Sequence, residues 1–369
     1  MAPNAKRLEQ DSRTVLIDMA TQVVNWQRTC GRHDLPWQNS RDPYRVWLSE
    51  IMLQQTQVAT VLDYFPRFVQ RFPDVAALAA APLDEVLGLW SGLGYYSRAR
   101  NLHSCAVRVV EQHQGAFPQT AQVLQTLPGI GRSTAAAIAA LCFGERAAIL
   151  DGNVRRLLTR VLGFDADLSV AANERQLWEL ASRLLPLHDL HEAMPRYTQG
   201  VMDLGATVCS ARNPACARCP LARQCVALRL GQVERYPVKT RKVKRSSQSL
   251  WLLWAQTRAG AVWLSKRPTP GVWGGLYCFP LFDQIEALTA ALPARYRSAL
   301  HEAPAFLHVL THKDLFLHPV RVQLPASIKL DADGVWTAAE QWPGLGLPAP
   351  VRKLLSQLSS FPVPGAASG

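Results

Sequence analysis

Four cysteines, Cys209, Cys216, Cys219 and Cys225, stand in a C-x6-C-x2-C-x5-C array, close enough for their thiolates to converge on one metal centre. The spacing is longer than the paired C-x2-C knuckles of a structural zinc site, so an iron–sulfur cluster with four thiolate ligands is the better candidate. Two disulfides are the alternative, and they belong with a secretory signal. Residues Met1 to Arg13 are polar and mixed in charge, with no apolar core segment, which counts against it. The other cysteines, Cys30, Cys105, Cys142 and Cys278, sit singly in apolar stretches and read as small core residues.

A chain of 369 residues can hold two cores. It has no run of eighteen apolar residues, so a soluble protein without a membrane partner is expected. Lys and Arg number 40 against 28 Asp and Glu, a formal charge of +12, which favours a polyanionic partner only where a nucleic-acid motif accompanies it.

From about Thr14 to Leu230, apolar residues recur at three- and four-residue spacing. They do so through Val15–Trp26, Val46–Phe65, Leu83–Leu89, Arg98–Val110, Ser133–Leu141, Val154–Leu162 and Asn173–Leu185, punctuated by Pro or Gly. This pattern predicts an all-α domain over 14–234, after a flexible stretch at 1–13. A basic connector follows at 235–246. The period then falls to two: Ser249–Thr257 and Ala261–Arg267 read as strands joined by an Arg-Ala-Gly turn, and Leu307–Leu317 and Val320–Leu324 look similar. A mixed α+β domain is expected over 247–358, and a disordered Pro/Gly-rich tail over 359–369.

Leu127-Pro128-Gly129-Ile130-Gly131-Arg132-Ser133-Thr134 precedes an Ala-rich stretch. Two glycines one residue apart let backbone N–H groups approach a ligand at the positive end of the following helix, where a nucleic-acid phosphate fits. A tight helix–helix turn is the plainer reading; Pro128 and the net charge favour a helix–hairpin–helix grip on DNA. Asp151, in Leu150-Asp151-Gly152-Asn153-Val154, suits a helix cap. A carboxylate beside a phosphate grip also suits stabilisation of a positive transition state, and the two roles are compatible. Glu50 shares a helical face with Gln54 and Gln57; a solvated glutamate is the plainer reading, while its long apolar flanks suggest partial burial and a raised pKa. Gly92-Leu93-Gly94-Tyr95-Tyr96 offers an apolar tip, either core packing or a wedge for a base stack.

Together these residues resemble the iron–sulfur branch of the helix–hairpin–helix DNA glycosylases. Within it, Trp47-Leu48-Ser49-Glu50, Met52-Leu53-Gln54-Gln55-Thr56, Gly92-Leu93-Gly94-Tyr95-Tyr96, Leu150-Asp151-Gly152-Asn153 and Met202-Asp203-Leu204-Gly205-Ala206 look like the adenine DNA glycosylases of the MutY family. The resemblance implies a DNA N-glycosylase that excises adenine mispaired with 8-oxoguanine or guanine and starts base-excision repair. It implies that Glu50 protonates adenine, Asp151 stabilises the sugar cation and Asn153 orients them. Gln55 and Tyr95 with Leu93 would enter the duplex, and Leu127, Gly129 and Gly131 would hold its backbone. Trp37 and Asp203 would belong to the adenine pocket. Cys209, Cys216, Cys219 and Cys225 would bind one 4Fe-4S cluster in the loop 209–225. Ser133 takes the position of the lysine that forms a Schiff base in the endonuclease III branch, and a hydroxyl cannot form one, which implies a monofunctional glycosylase.

The C-terminal α+β domain resembles the family's Nudix-like domain through Gly271-Val272-Trp273-Gly274-Gly275-Leu276-Tyr277-Cys278-Phe279-Pro280. The stretch Leu281 to Arg297 has only Asp283 and Glu286 as acids, too few for the metal-binding helix of a pyrophosphatase. The resemblance implies opposite-base recognition instead, with Thr311 and His312 in the position of a family Phe-Ser-His loop and Leu310 replacing its aromatic. The implied partner is double-stranded DNA bearing an adenine mispair, and a cytoplasmic, nucleoid-associated monomer is expected. The competing readings are an endonuclease III-like glycosylase/lyase for oxidised pyrimidines and a non-catalytic iron–sulfur DNA-binding protein.

Overall fold

The computed structural model describes residues 19–38, 40–240, 244–330 and 334–357. The flexible start expected at 1–13 and the tail expected at 359–369 lie outside the described residues, as do residues 241–243 of the basic connector. The chain divides into two compact units, one holding the residues up to Ala79 with Ser104–Lys242, the other Ala80–His103 with the residues from Val243 onward. The stretch Ala80–His103, which sequence periodicity places in the helical domain, is thus grouped with the C-terminal half.

The first unit is helical: α1 (residues 19–30), α2 (Pro43–Leu53), α3 (Val58–Arg71) and α4 (Val75–Ala80). After α5 (Leu83–Leu89), which belongs to the second unit, α6 (Ser97–His113) leads back into the first. There follow α7 (Ala121–Leu124), α8 (Arg132–Phe143), α9 (Gly152–Leu162), α10 (Ala171–Arg183) and α11 (Leu190–Asp203). Short turns then carry the cysteine array to α12 (Val226–Arg229). No described helix is long and apolar enough to cross a membrane. The α8 helix is central. Its buried run Ala135–Ala140 lets it pack against α2, α7 and α11, since small side chains permit close helix approach.

The apolar pattern Val46–Phe65 divides into two helices rather than one. Helix α2 ends at a C-cap Gln54 in non-helical backbone, and Gln55 follows with φ 56°. The rim of the cavity described below lies beside that break. Helix α11 carries Pro195 in its second turn, at the cost of one intrahelical hydrogen bond. Trp47, Phe65 and Phe68 are at most 1% exposed; burying each contributes on the order of 1.5–3 kcal/mol.

The second unit is built on one sheet with strands β1 (Ser246–Gln256), β2 (Val262–Lys266), β3 (Tyr277–Cys278), β4 (Leu281–Phe282), β5 (His301–Glu302), β6 (Phe306–Val309), β7 (Lys313–Gln323) and β8 (Gly334–Thr337). Its main path runs β3-β2-β1-β7-β5, with β1 and β7 parallel at the centre. On β1, Leu250, Leu252 and Trp254 pack with α14 (Ala349–Ser356). Leu253 and Ala255 pack on the other face with Leu288 of α13 (Ile285–Ala290).

The strand expected over Leu307–Leu317 contains the turn from Val309 to Lys313, closed by Leu310 N–H to Lys313 O at 2.8 Å. The true strand β7 runs on through Pro319. A central strand accepts this proline because Pro319 falls between its two short partners, β6 ending at the Phe306–Leu317 pair and β5 beginning at Glu302–Val320.

Candidate active site

Helix α2 starts at Asp42, whose carboxylate accepts the Tyr44 N–H at 3.0 Å, with Pro43 in its first turn. Two turns later it sets Glu50 in the wall of an open cavity of about 290 Å³. Burial pushes the Glu50 pKa from 4.5 up to about 7, and the charge of Asp151 adds to the rise. Near neutral pH this carboxyl is therefore poised between acid and base.

Asp151 is the N-cap of α9, accepting N–H bonds from Asn153 at 2.6 Å and Val154 at 3.0 Å. Both bonds go to one carboxylate oxygen, so the cap is compatible with a role for Asp151 toward a ligand. The chain entering the cap is fixed by Ser133, whose hydroxyl accepts the Leu150 N–H at 3.0 Å. The residue marked in the sequence for what it lacks, an amine, thus acts locally as a tie between α8 and the Asp151 turn. Asn153 Oδ1 accepts Arg156 Nη2–H at 2.8 Å, and the same guanidinium donates to Gly205 O and to Cys209 O. Gly205 is required there, because a Cβ would lie 2.7 Å from Asn153 Cβ.

The glycine hairpin forms as expected between α7 and α8. Gly129 has φ 76°, a region that favours glycine, whereas Gly131 is the N-cap of α8 with open space where a Cβ would project. Leu127 and Ile130 are buried, at 3% and 4% exposure. Leu127 therefore anchors the hairpin, and a ligand would meet backbone from the exposed Gly129 and Gly131.

Of the two expected pocket residues, Trp37 lines the cavity and meets Phe65 edge-on at 5.4 Å. Asp203 does not line it. It is fully buried and accepts bonds from Arg32 N, Arg32 Nε and Gln199 Nε2 at 3.0, 2.7 and 2.8 Å, so it orients Arg32 and Gln199, which do. Gln38 is also in the wall, with Nε2 buried and unpartnered. Arg32, Gln38 and Gln199 carry no sequence signal of their own.

The four array cysteines line one pocket. Among the described residues, no three His, Cys, Asp or Glu side chains are grouped to hold a metal ion. Burial pushes the Cys219 thiol up to about 11, with further increments from Cys209, Cys225 and Cys216. Thiolates here therefore need a positive centre among them. Arg160, 1% exposed, donates to Cys209 Sγ at 3.3 Å and to Ser210 O and Ala211 O. Four cysteine thiols around one space are a donor set that fits a thiolate-held metal centre.

In the second unit Tyr95 is 44% exposed in a left-handed conformation, on a loop whose Gly92 and Gly94 also have positive φ. Leu93 beside it is 5% exposed: the expected apolar tip is a core residue, and the aromatic alone is presented. Arg98 holds the loop, donating to Leu93 O at 3.1 Å and Gly94 O at 3.2 Å under the Trp90 and Tyr95 rings. The Tyr95 hydroxyl shares a hydrogen bond of 2.8 Å with Thr311 Oγ1. Thr311 and His312 are exposed in the β6–β7 turn, which Arg245 clamps through Leu310 O and Thr311 O.

Residues 48–183 match the HhH-GPD superfamily of base excision DNA repair proteins, and residues 250–357 match the NUDIX domain. The chain also resembles the structure of a thermostable thymine-DNA glycosylase, with a TM-score of 0.52 and 26% identity over 59% of this chain and 99% of that one. The class is therefore a helix–hairpin–helix DNA N-glycosylase carrying a Nudix-like domain. An adenine DNA glycosylase of Buchnera aphidicola is 36% identical over 90% of this chain and 95% of its own. That of Homo sapiens is 46% identical over 53% of this chain and 37% of its own. The chain belongs to the adenine DNA glycosylase family.

Proposed function

We propose that this enzyme excises adenine paired with 8-oxoguanine or guanine, by hydrolysis of the N-glycosidic bond. The observation that carries this reading is Glu50, a cavity-wall carboxyl raised to about 7 with Asp151 nearby. Adenine must leave the stack to reach such a cavity. There Glu50 gives its proton to the ring, the bond to the sugar carbon breaks with its electrons on adenine, and Asp151 stabilises the cationic sugar. Water adds to that carbon and gives up a proton, so atoms and charge balance. Trp37 and Gln38 would hold the base, with Arg32 and Gln199 fixed from behind by Asp203.

Gly129 and Gly131 would grip the strand through phosphates, and Gln55 on the first unit and Tyr95 on the second would enter the stack. Thr311, bonded to Tyr95, and His312 would read the opposite base. The Ser133 hydroxyl, engaged by Leu150 N–H, supports a monofunctional enzyme. Cys209, Cys216, Cys219 and Cys225 would hold one 4Fe-4S cluster, which when bound fixes the loop carrying Arg212, Arg218 and Arg223 near DNA. We infer a monomer acting at the cytoplasmic chromosome.

The test is base release from duplexes containing adenine opposite 8-oxoguanine, adenine opposite guanine, and thymine glycol. Release from the first two and not the third is expected. Release of thymine glycol, or no release at all, would favour one of the competing readings.

A further inference from the structure

The cavity that holds Glu50 also carries an ion pair that the excision chemistry does not use. Arg41, in the turn ahead of α2, and Glu192, in the first turn of α11, both line it, and Arg41 Nη2 donates to Glu192 Oε1 at 2.6 Å. The pair thus bridges two walls. Arg41 Nη1 also lies 2.9 Å from both ring nitrogens of His191. The Arg41 and Glu192 side chains are 42% and 46% exposed, whereas Trp37 in the same cavity is 6% exposed, so the pair sits at the open end. An ion pair this exposed contributes little to stability, and a phosphate, which takes a guanidinium in a two-pronged grip, can replace the carboxylate. Glu192 would not be stranded by the exchange. Arg196 also lines the cavity, its hydrogen bond goes only to Gln27 Oε1 at 3.5 Å, and its Nε is buried without a partner. After Arg41, Arg196 and then His191 are the charges that help to hold the Glu192 carboxyl below its ordinary pKa. The remaining cavity arginine, Arg32, is fixed by Asp203.

Resting on the excision reading above, we propose that Arg41 is an exchangeable phosphate clamp, held by Glu192 in the free protein and passed to a phosphate beside the adenosine that enters the cavity. A flipped nucleotide enters base first, so the phosphates joining its sugar to the strand stay at the mouth, where Arg41 stands. Paired, Arg41 and Glu192 present no net charge to DNA that merely slides past. Arg41 changes partner where flipping brings a phosphate to the mouth, which ties binding strength to a base already out of the stack. Arg41 is thereby a positioning and specificity residue for the reaction, and Glu192 is the resting partner that keeps it from other phosphates.

The test is binding of the full chain to a duplex carrying 2′-fluoro-2′-deoxyadenosine opposite 8-oxoguanine, whose electron-withdrawing fluorine disfavours a sugar cation and keeps the base attached. A neutral methylphosphonate in place of one phosphate flanking the adenosine should weaken binding by the parent about tenfold, a measurement that needs no variant. Arg41→Gln should weaken binding to the unsubstituted backbone about tenfold and lower the slope of log Kd against log salt by about one. The methylphosphonate should then cost Arg41→Gln about twofold at most, because the two changes remove one contact. Glu192→Gln should bind as tightly as the parent or more tightly and keep the full methylphosphonate loss, whereas a bridge with a structural role only would make the two variants alike. Thermal melting verifies that both are folded. Equal methylphosphonate losses in parent and Arg41→Gln, no loss in the parent at either flanking phosphate, an unchanged salt slope, or weakening by Glu192→Gln that matches Arg41→Gln would each overturn the exchange. Adenine release from the unmodified duplex separates the two levels: a parent that releases adenine but shows none of these differences contradicts the exchange alone, and one that releases none contradicts the excision reading beneath it.

Discussion

Replacing Glu50 with glutamine removes a titration that the structure makes expensive. The carboxyl has an ordinary pKa of 4.5 and is raised to about 7 in the folded protein. At about 1.4 kcal/mol per pH unit, this corresponds to about 3 kcal/mol of folding free energy. The sign follows from which state keeps the proton. Below pH 4.5 both states are protonated and Glu50 carries no penalty. As the pH rises toward about 7 the unfolded chain ionises while the folded one holds its proton, and stability is lost across that window. Glu50→Gln cannot ionise. Its stability relative to the parent should therefore rise by about 3 kcal/mol between pH 4.5 and 8, as order of magnitude. Urea unfolding of both proteins at several pH values measures the difference. A constant difference across the window would refute the burial argument, even if the variant were inactive.

The as-isolated protein should contain close to four irons and four sulfides per chain, measured by metal and sulfide analysis. Cys209→Ser should lower that content and DNA affinity where Cys105→Ser does not; stoichiometric zinc without sulfide would contradict the cluster. Ser133→Lys puts an amine at the mouth of the Asp151 turn, so borohydride should trap a covalent DNA complex that the parent lacks. Tyr95→Phe and Thr311→Ala each break one shared hydrogen bond. In binding titrations each should reduce the preference for 8-oxoguanine over guanine by about 1 kcal/mol, and the double variant should lose no more than either single one.

The elements legible in the sequence are those set by local chemistry. The Gly129 turn, the Asp151 cap and the spaced thiols each announce a backbone or ligand requirement within a few residues. Glu50 was legible through its apolar flanks, since burial is what raises its pKa. Features set by distant partners were not. Asp203 looked like a pocket residue, but its position behind Arg32 depends on α11 meeting a loop 171 positions earlier. The tip at Leu93 and Tyr95 read equally as core packing or a wedge, and tertiary packing buried Leu93 beside an exposed Tyr95. Helix α11 was hidden by Pro195, and the break after Gln54 by an unbroken apolar pattern. The course of β7 through Pro319 became possible only because two short strands leave a gap beside it. Residues Ala80–His103 carry helical periodicity, which says nothing about which core they join.

The most direct test of acid-assisted adenine excision is the pH dependence of single-turnover adenine release from a duplex with adenine opposite 8-oxoguanine. The rate should fall as pH rises through about 7, where Glu50 gives up its proton. Glu50→Gln should be slower by about 10² to 10⁴ and lose that dependence. A parent rate flat from pH 6 to about pH 9, or a variant as fast as the parent, would contradict Glu50 as the acid.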